Sequence, residues 1–136
     1  MKMIKFYDTS SLLLLMEHIE KEQDFVISSI TLDELEHIKT SNSKDAHTKY
    51  AARYLLNYLT SHAGLYTVWI FTSDMLSPIE SKSLEVTNDM KILATAIHYE
   101  KVCAPDNVQF ITNDLAQYNI ANLFFGADSI DMVYQE

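Results

Sequence analysis

The chain has 136 residues, of which 48% are hydrophobic and 21% are charged, and its formal net charge is −9. This length and composition predict a single globular domain, residues 1–136, with a core of ordinary size. The negative charge argues against a general nucleic-acid coat protein, which needs a basic face to neutralise phosphates. It does not argue against a nuclease, because acidic side chains can bind metal ions that contact the phosphate.

Several kinds of site are missing from the sequence. With only two glycines there is no Gly-rich phosphate-binding loop, and no Cys pairs or His-x-x-x-His spacing indicate zinc. The one cysteine, Cys103, cannot form an internal disulfide. The apolar run from Leu12 to Met16 is too short to span a bilayer, and no signal pattern precedes it. We therefore expect a cytoplasmic protein without a membrane segment.

Strand patterns and helix patterns alternate along the chain. Strands are predicted at residues 3–8, 24–29, 65–72, 107–112 and 129–134. Helices are predicted at residues 9–21, 31–39, 44–62, 88–101 and 115–124, with a loop at 73–86. This alternation predicts a three-layer α/β/α sandwich with a central, mostly parallel sheet. The strands then end along one edge of the sheet, where such folds bind ligands.

Four acidic residues map to that edge. Asp8 ends the first strand, Glu34 follows the second, Asp89 opens the helix before the fourth, and Asp114 follows the fourth. Each has a purely structural alternative. Asp8 and Asp114 suit helix N-caps, and Asp89 suits the positive end of a helix dipole. Thr31-x-x-Glu34 has the spacing of a capping box, in which Glu34 would reach back to the Thr31 backbone.

The positions of two of these acids favour a shared site. Asp89 precedes Ile92 by three positions and Leu93 by four, so it is predicted to lie over the apolar stripe of its helix. Glu34 is predicted to lie on the same side of its helix as Leu35. Carboxylates directed inward are costly unless they are paired, hydrogen-bonded or bound to metal. Like charges that pack together also need a cation, and an oxygen-only cluster suits Mg²⁺ or Mn²⁺. Such ions can activate water and stabilise the charge on a scissile phosphate.

Four segments together resemble PIN-domain ribonucleases over nearly the whole chain: KFYDTSSLLL, ISSITLDELEHIK, TNDMKILATAIHYEK and VQFITNDLAQYNIANLF. The shared pattern is a strand ending in Asp, an S/T-x-x-E-L helix start, an Asp opening an I-L-A-x-A helix, and a strand followed by T-x-D. By this resemblance Asp8, Glu34, Asp89 and Asp114 are the catalytic, metal-binding positions. The resemblance implies a PIN-like sandwich and Mg²⁺- or Mn²⁺-dependent hydrolysis of single-stranded RNA.

Further expectations follow from the same resemblance. The sequence LDELEHIK with Ala52-Arg53 is similar to PIN domains fused to PhoH-type ATPases, and the short length is similar to toxins of toxin–antitoxin pairs. These similarities would imply an antitoxin or other protein partner and a homodimer. Two alternatives stay open: a catalytically inactive PIN-like interaction module, and a receiver-like signalling domain. A receiver would need a lysine at a late strand end, and FITND has none.

Substrate-contacting residues are also predicted. Four of the ten Lys and Arg residues lie within fifteen positions, and we expect them to flank the cleft: Lys39, Lys44, Lys49 and Arg53. For Lys49 the alternative is a solvated helix face on which it pairs with Asp45. Thr112 and Asn113 are predicted to hydrogen-bond the site or the phosphate, or to cap the helix. Tyr50, Tyr54 and Tyr58 are predicted core residues, with stacking on bases as the alternative. Asp128 is a predicted surface acid, with a further metal ligand as the alternative.

Overall fold

The computed structural model describes residues 2–132 of the chain, with the side chain of residue 127 excepted. The strands are β1 (Met3–Tyr7), β2 (Phe25–Ser28), β3 (Tyr66–Trp69), β4 (Asn107–Thr112) and β5 (Ile130–Met132). The α-helices are α1 (Thr9–Leu15), α2 (Ser29–Thr40), α3 (Ala46–Ser61), α4 (Ser77–Ser81), α5 (Asn88–Val102) and α6 (Leu115–Ala121). No helix within residues 2–132 is both long enough and apolar enough to cross a membrane.

The five strands form one parallel sheet in the order β3-β2-β1-β4-β5. β1 lies at the centre, with Phe6 opposite Val26 of β2 and opposite Phe110 of β4. Strands that follow β1 directly lie on one side of it, and the last two strands lie on the other. The strand order therefore reverses between β1 and β4, and ligands bind at such a switch point in open α/β sheets.

The two faces of the sheet enter two separate cores, because successive strand residues point to opposite sides. On one face, Phe6 and Phe110 stack with ring centroids 6.2 Å apart and pack with Ile92 of α5. On the other face, Tyr7 packs with Leu55 of α3. Helices thus cover both faces. The three-layer α/β/α sandwich with a parallel sheet that the sequence predicts is confirmed.

Several element boundaries differ from the sequence prediction: the strand predicted at 65–72 is only Tyr66–Trp69, and the helix predicted at 31–39 is Ser29–Thr40. Residues 73–86 are not a plain loop, since Ser73–Leu76 forms a 3₁₀-helix that leads into α4. Pro78 sits in the first turn of α4, where a missing N–H is tolerated, and Ile79 is fully buried. The predicted helix over 9–21 ends as an α-helix at Leu15 and continues as a 3₁₀-helix, Met16–Lys21. The predicted strand over 129–134 is observed as β5, and residues 133 and 134 lie outside the described part.

Candidate metal centre

Asp8 is fixed at the carboxyl end of β1. It caps α1, and its Oδ1 accepts hydrogen bonds from the Ser11 backbone N–H at 2.9 Å and from the Ser10 hydroxyl at 2.8 Å. Its Oδ2 accepts from the Thr112 hydroxyl of β4 at 2.5 Å. Burial raises the pKa of Asp8, although these hydrogen bonds oppose the shift. The side chain is only 2% exposed, so its position is set by the sheet and not by solvent.

Glu34 is held by a residue distant in sequence. The predicted capping box is wrong, because α2 begins at Ser29 with Ser28 as its N-cap, ahead of Thr31. Glu34 instead accepts a hydrogen bond from the Thr9 hydroxyl at 2.5 Å, and the Thr9 hydroxyl lies 3.1 Å from that of Thr31. The Glu34 side chain is half-buried. The start of α1 therefore orients Glu34 toward the same edge as Asp8.

Asp89 lies in the first turn of α5, after the N-cap Thr87. Its side chain is exposed, so the prediction that it lies over the apolar stripe of α5 is wrong. The buried face of the helix begins with its neighbour Met90, which is 4% exposed. Partial desolvation raises the pKa of Asp89 to about 6, and the charges of Glu34, Asp114 and Asp8 add to the shift. Asp89 therefore lies near enough to the other three acids for their charges to act on it.

Asp114 is the N-cap of α6, as its structural alternative predicted. Its Oδ1 accepts from the backbone N–H groups of Ala116 at 2.9 Å and Gln117 at 3.2 Å. The Asp114 backbone N–H donates to the Thr112 hydroxyl at 3.0 Å. Thr112 is fully buried and thereby links Asp114 to Asp8. Asn113 is half-buried, and its backbone N–H donates to the Ser10 hydroxyl at 2.9 Å.

We call the four acids the acid cluster: Asp8, Glu34, Asp89 and Asp114. Hydroxyl side chains donate hydrogen bonds to two of them, Asp8 and Glu34. Thr112 was identified in the sequence, but Thr9, Ser10 and Thr31 were not assigned to the site. The available signal was the run Thr9-Ser10-Ser11 directly after Asp8. Sequence reasoning treats such a run as helix-capping residues, whereas here Asp8 is the cap and the hydroxyls bond to carboxylates.

Within residues 2–132, no basic side chain forms an ion pair with the acid cluster. Neither of the ion pairs Lys5–Glu22 and Lys39–Glu36 includes one of its members. Within residues 2–132, no three acidic, histidine or cysteine side chains lie close enough together to hold a metal ion as they stand. Mutual repulsion is the physical reason for carboxylates to stay apart when no cation is present. The donor chemistry fits Mg²⁺ or Mn²⁺, and binding would require the more exposed carboxylates to turn toward a common point.

The basic residues predicted to contact substrate lie on or between α2 and α3: Lys39, Lys44, Lys49 and Arg53. Lys44 and Arg53 are exposed, and Lys39 and Lys49 are half-buried. Lys39 pairs with Glu36 one turn earlier at 2.9 Å. Asp45 caps α3 by accepting from the Thr48 backbone N–H at 2.7 Å, and no ion pair joins it to Lys49 within the described residues.

The predicted core tyrosines of α3 are not alike. Tyr54 and Tyr58 are half-buried and pack against the core that includes Leu55. Tyr50 is 50% exposed, so its assignment to the core is wrong. The reason lies in the helix turn: Tyr50 precedes the first buried residue of α3, Ala51. Asp128 is exposed, as predicted for a surface acid.

The strand order distinguishes this fold from a receiver domain. Receiver domains have the flavodoxin-like order 2-1-3-4-5, whereas the order here is 3-2-1-4-5. The receiver-like alternative is therefore wrong.

The family model of the PIN domain matches residues 6–124, a range that contains the whole acid cluster. A comparison with curated proteins found no match. PIN domains are generally nucleases and generally use divalent metal ions. Because the family model covers most of the chain and the sheet is the parallel one expected, the chain belongs to the PIN-domain family.

Proposed function

We propose that the protein is an endoribonuclease that hydrolyses phosphodiester bonds of single-stranded RNA with Mg²⁺ or Mn²⁺. The observation that supports this proposal is the placement of four carboxylates at the carboxyl edge of the sheet, near enough that the charges of the other three help to raise the pKa of Asp89. Within residues 2–132 none of the four forms an ion pair with a basic side chain. Helix capping accounts for the positions of Asp8 and Asp114, but it does not account for Glu34 and Asp89 at the same edge. Like charges held near one another favour a bound cation. Their oxygen-only chemistry supports a hard divalent cation.

The chain's own residues divide the work of the site. Asp8 is rigid, because donors occupy both of its oxygens, and it would serve as the fixed metal ligand. Glu34 is oriented through the Thr9 hydroxyl, while Asp89 at the cleft mouth is exposed and able to turn. Asp114 completes the set beside β4. A bound cation would supply activation of water and stabilisation of the charge on the scissile phosphate.

Substrate contacts are proposed for two groups of residues. The α2–α3 basic residues would neutralise phosphates flanking the scissile bond: Lys39, Lys44, Lys49 and Arg53. This local positive charge is needed because the whole chain carries −9 and would otherwise repel RNA. Asn113, beside Asp114, would donate to a phosphate oxygen through its side-chain amide. Thr112 would contribute by holding Asp8, since its hydroxyl is buried.

The wider setting is also proposed, with support from the family alone. The protein would act in the cytoplasm as a homodimer, and an antitoxin or other protein partner would cover the acid cluster. Gel filtration with light scattering tests the dimer, and co-purification from the native host tests the partner.

A second candidate function is a catalytically inactive PIN-like interaction module. One observation favours it: within residues 2–132 no three potential ligands are assembled for a metal ion. Such a protein would retain partner binding without cation binding.

The deciding experiment is cleavage of a mixed-sequence, end-labelled single-stranded RNA by the purified full chain. Reactions contain Mn²⁺, Mg²⁺ or EDTA, and compare wild type with Asp89→Asn. Asp33→Asn is the matched control, because Asp33 is an exposed acid next to Glu34 but outside the acid cluster. We expect metal-dependent cutting that Asp89→Asn lowers by at least about 100-fold, with Asp33→Asn unaffected. Circular dichroism checks that each variant folds.

Absence of cleavage by wild type with either ion would overturn the nuclease proposal and favour the interaction module. Equal activity of wild type and Asp89→Asn would instead locate the chemistry outside the acid cluster. A titration of Mn²⁺ followed by calorimetry then separates a protein that binds the cation without cutting from one that does not bind it.

A further inference from the structure

A cavity of about 280 Å³ opens beside the acid cluster. It lies between the segment before α5, the first turn of α5, and α6. Leu84, Met90 and Ile120 supply apolar walls, and Asp89 forms part of the rim. We call it the α5–α6 cavity. Because Asp89 belongs both to this rim and to the acid cluster, an occupant would lie next to the site of phosphate chemistry.

Gln117 places an unusual polar group in the wall of the α5–α6 cavity. Its side chain is 2% exposed, and its Nε2 donates to the backbone carbonyl of Asp89 at 2.8 Å. A carbonyl can only accept, so this bond fixes which end of the amide is the oxygen. The Gln117 Oε1 is buried and has no hydrogen-bond partner among the described residues. Buried acceptors are nearly always satisfied, so an unpaired one in a residue that lines a cavity indicates a missing donor.

We propose that the α5–α6 cavity is a nucleobase slot, in which Gln117 Oε1 accepts a hydrogen bond from an N–H group on the edge of the base. This inference rests on the proposed function, because the base would belong to a nucleotide adjoining the scissile phosphate. A nucleobase has apolar faces that suit Leu84, Met90 and Ile120, and a polar edge that suits a single acceptor. The exocyclic amino groups of adenine and cytosine are suitable donors.

The surroundings of the slot suit the same occupant. Val86 and Leu115 adjoin lining residues in the chain and are exposed, Leu115 to 63%. Apolar side chains at the mouth of a slot give a base further contact area as it leaves the stack of its neighbours. A duplex would hold the base within its pair, so the slot also accounts for a preference for single strands.

The test uses a single-stranded RNA with one mapped cleavage site and an adenine or cytosine beside it. In matched substrates the base on each side of the scissile phosphate is replaced in turn by an abasic ribose. Where adenine is present, it is also replaced by purine, which lacks the amino group. Wild type is compared with Gln117→Met, and Gln109→Met is the control, because Gln109 lies on β4 away from the α5–α6 cavity. Ile120→Ala widens the slot without altering Gln117 and serves as a second variant.

For wild type we expect one abasic substitution to lower kcat/KM by about tenfold, and purine to lower it by a smaller factor. Gln117→Met should cut the intact substrate more slowly and cut the purine substrate no more slowly than the adenine one. On the abasic substrate it should lose less than wild type does, because only the apolar contacts of the base remain to be lost. Ile120→Ala should weaken the dependence on the base as well. Gln109→Met should behave as wild type.

Two results would overturn the slot. One is equal cleavage of intact and abasic substrates by wild type. The other is that Gln117→Met lowers cleavage of the intact and abasic substrates by the same factor relative to wild type. That result would mean that Gln117 only positions Asp89, through its hydrogen bond to the Asp89 backbone carbonyl.

A second measurement does not depend on cleavage, so it separates failure of the slot from failure of the nuclease proposal. The side-chain amide signals of Gln117, assigned by their loss in Gln117→Met, are followed by NMR as the same oligonucleotides are added with Mg²⁺. If wild type cuts nothing, a shift with the intact strand and none with the abasic strand supports the slot and rejects the nuclease. No shift with either strand overturns the slot.

Discussion

Glu22 and Asp89 are carboxylates with opposite environments in one small domain. Glu22 Oε1 accepts from the Lys5 ammonium at 2.9 Å and from the Tyr7 hydroxyl at 2.8 Å. Burial alone would raise the pKa of Glu22, yet these partners hold it below its usual value. Asp89 forms no ion pair with the basic side chains of residues 2–132, and desolvation and the neighbouring acids raise its pKa to about 6.

The difference between the two acids is the presence of a positively charged partner, and under the proposed function it separates an acid that serves stability from one that binds a ligand. An acid that serves stability is given a positive partner, as Lys5 is given to Glu22. Under the proposed function, the unbalanced charge of Asp89 and its acidic neighbours would be offset by the bound cation. The position after a strand is common to many acids, so position alone does not make this distinction. The partner does.

The largest expected effect is on RNA cleavage, which should depend on the acid cluster and not on Glu22. Asp8→Asn should lower cleavage of single-stranded RNA by at least about 100-fold, because it removes the fixed member of the acid cluster. Glu22→Gln should leave kcat/KM within about twofold of wild type, because Glu22 contacts Lys5 and Tyr7 and no member of the cluster. Steady-state kinetics with Mn²⁺ measures both. Equal losses in the two variants would remove the distinction.

Cation binding should stabilise the protein through the acid cluster. At about 100 times its dissociation constant, Mn²⁺ should raise the free energy of unfolding by about 2.7 kcal/mol at pH 7.5. The rise should be much smaller in an Asp89→Asn/Asp114→Asn double variant, and unchanged in Glu22→Gln. Thermal unfolding followed by circular dichroism, with and without EDTA, gives the comparison. A full response in the double variant would locate the cation elsewhere.

Loss of a hydroxyl partner should cost stability at the buried acid. Thr112→Val removes the donor to Asp8 Oδ2 and leaves that oxygen buried, so the free energy of unfolding should fall by about 2 kcal/mol. Thr67→Val is the control, since Thr67 lies on β3 with an exposed side chain. Urea titrations of both variants provide the measurement. Near-equal midpoints for Thr112→Val and wild type would mean that the hydroxyl does not support the acid.

The smallest effect is a difference in pH dependence. The folded pKa of Asp89 lies above its unfolded value of 3.8, so the folded state holds the proton longer and stability falls as pH rises from about 4 to about 6. The folded pKa of Glu22 lies below 4.5, so its contribution is present above that pH and is lost as pH falls through the folded pKa. In EDTA, the free energy of unfolding of wild type should therefore decline as pH rises, and Asp89→Asn should remove up to about 1 kcal/mol of that decline. The figure is reduced for solvent screening, because Asp89 is exposed. Urea midpoints between pH 4 and 7 test this, and Glu22→Gln should change the slope in the opposite sense.

The sequence predicts the fold and the convergence of the acids for one reason. Parallel strands end at a common edge, so Asp8 and Asp114 must lie near each other once β1 and β4 are recognised. Recognition of those strands needs only local patterns of apolar residues. The boundaries of α2 could not be read in this way, because Ser28 and Thr31 are both good caps and tertiary contacts decide between them.

Long-range partners explain the remaining misses. Thr9 and Glu34 are 25 residues apart, and no local pattern joins them. The exposure of Asp89 depends on how α5 meets α6, which the period of the helix does not report. Gln117 carries no signal in sequence at all, since a glutamine in a helix is ordinarily a surface residue. The unpaired oxygen is visible only when the cavity around it is known.

The bond between Thr112 and Asp8 also joins two parts of the chain that are made at different times. These residues are 104 positions apart, and the ribosome releases β1 long before it releases β4. Until β4 emerges, one edge of β1 has no neighbour, and Asp8 lacks both the Thr112 hydroxyl and the nearby Asp114. The order of translation therefore delays completion of the acid cluster until most of the domain has been synthesised.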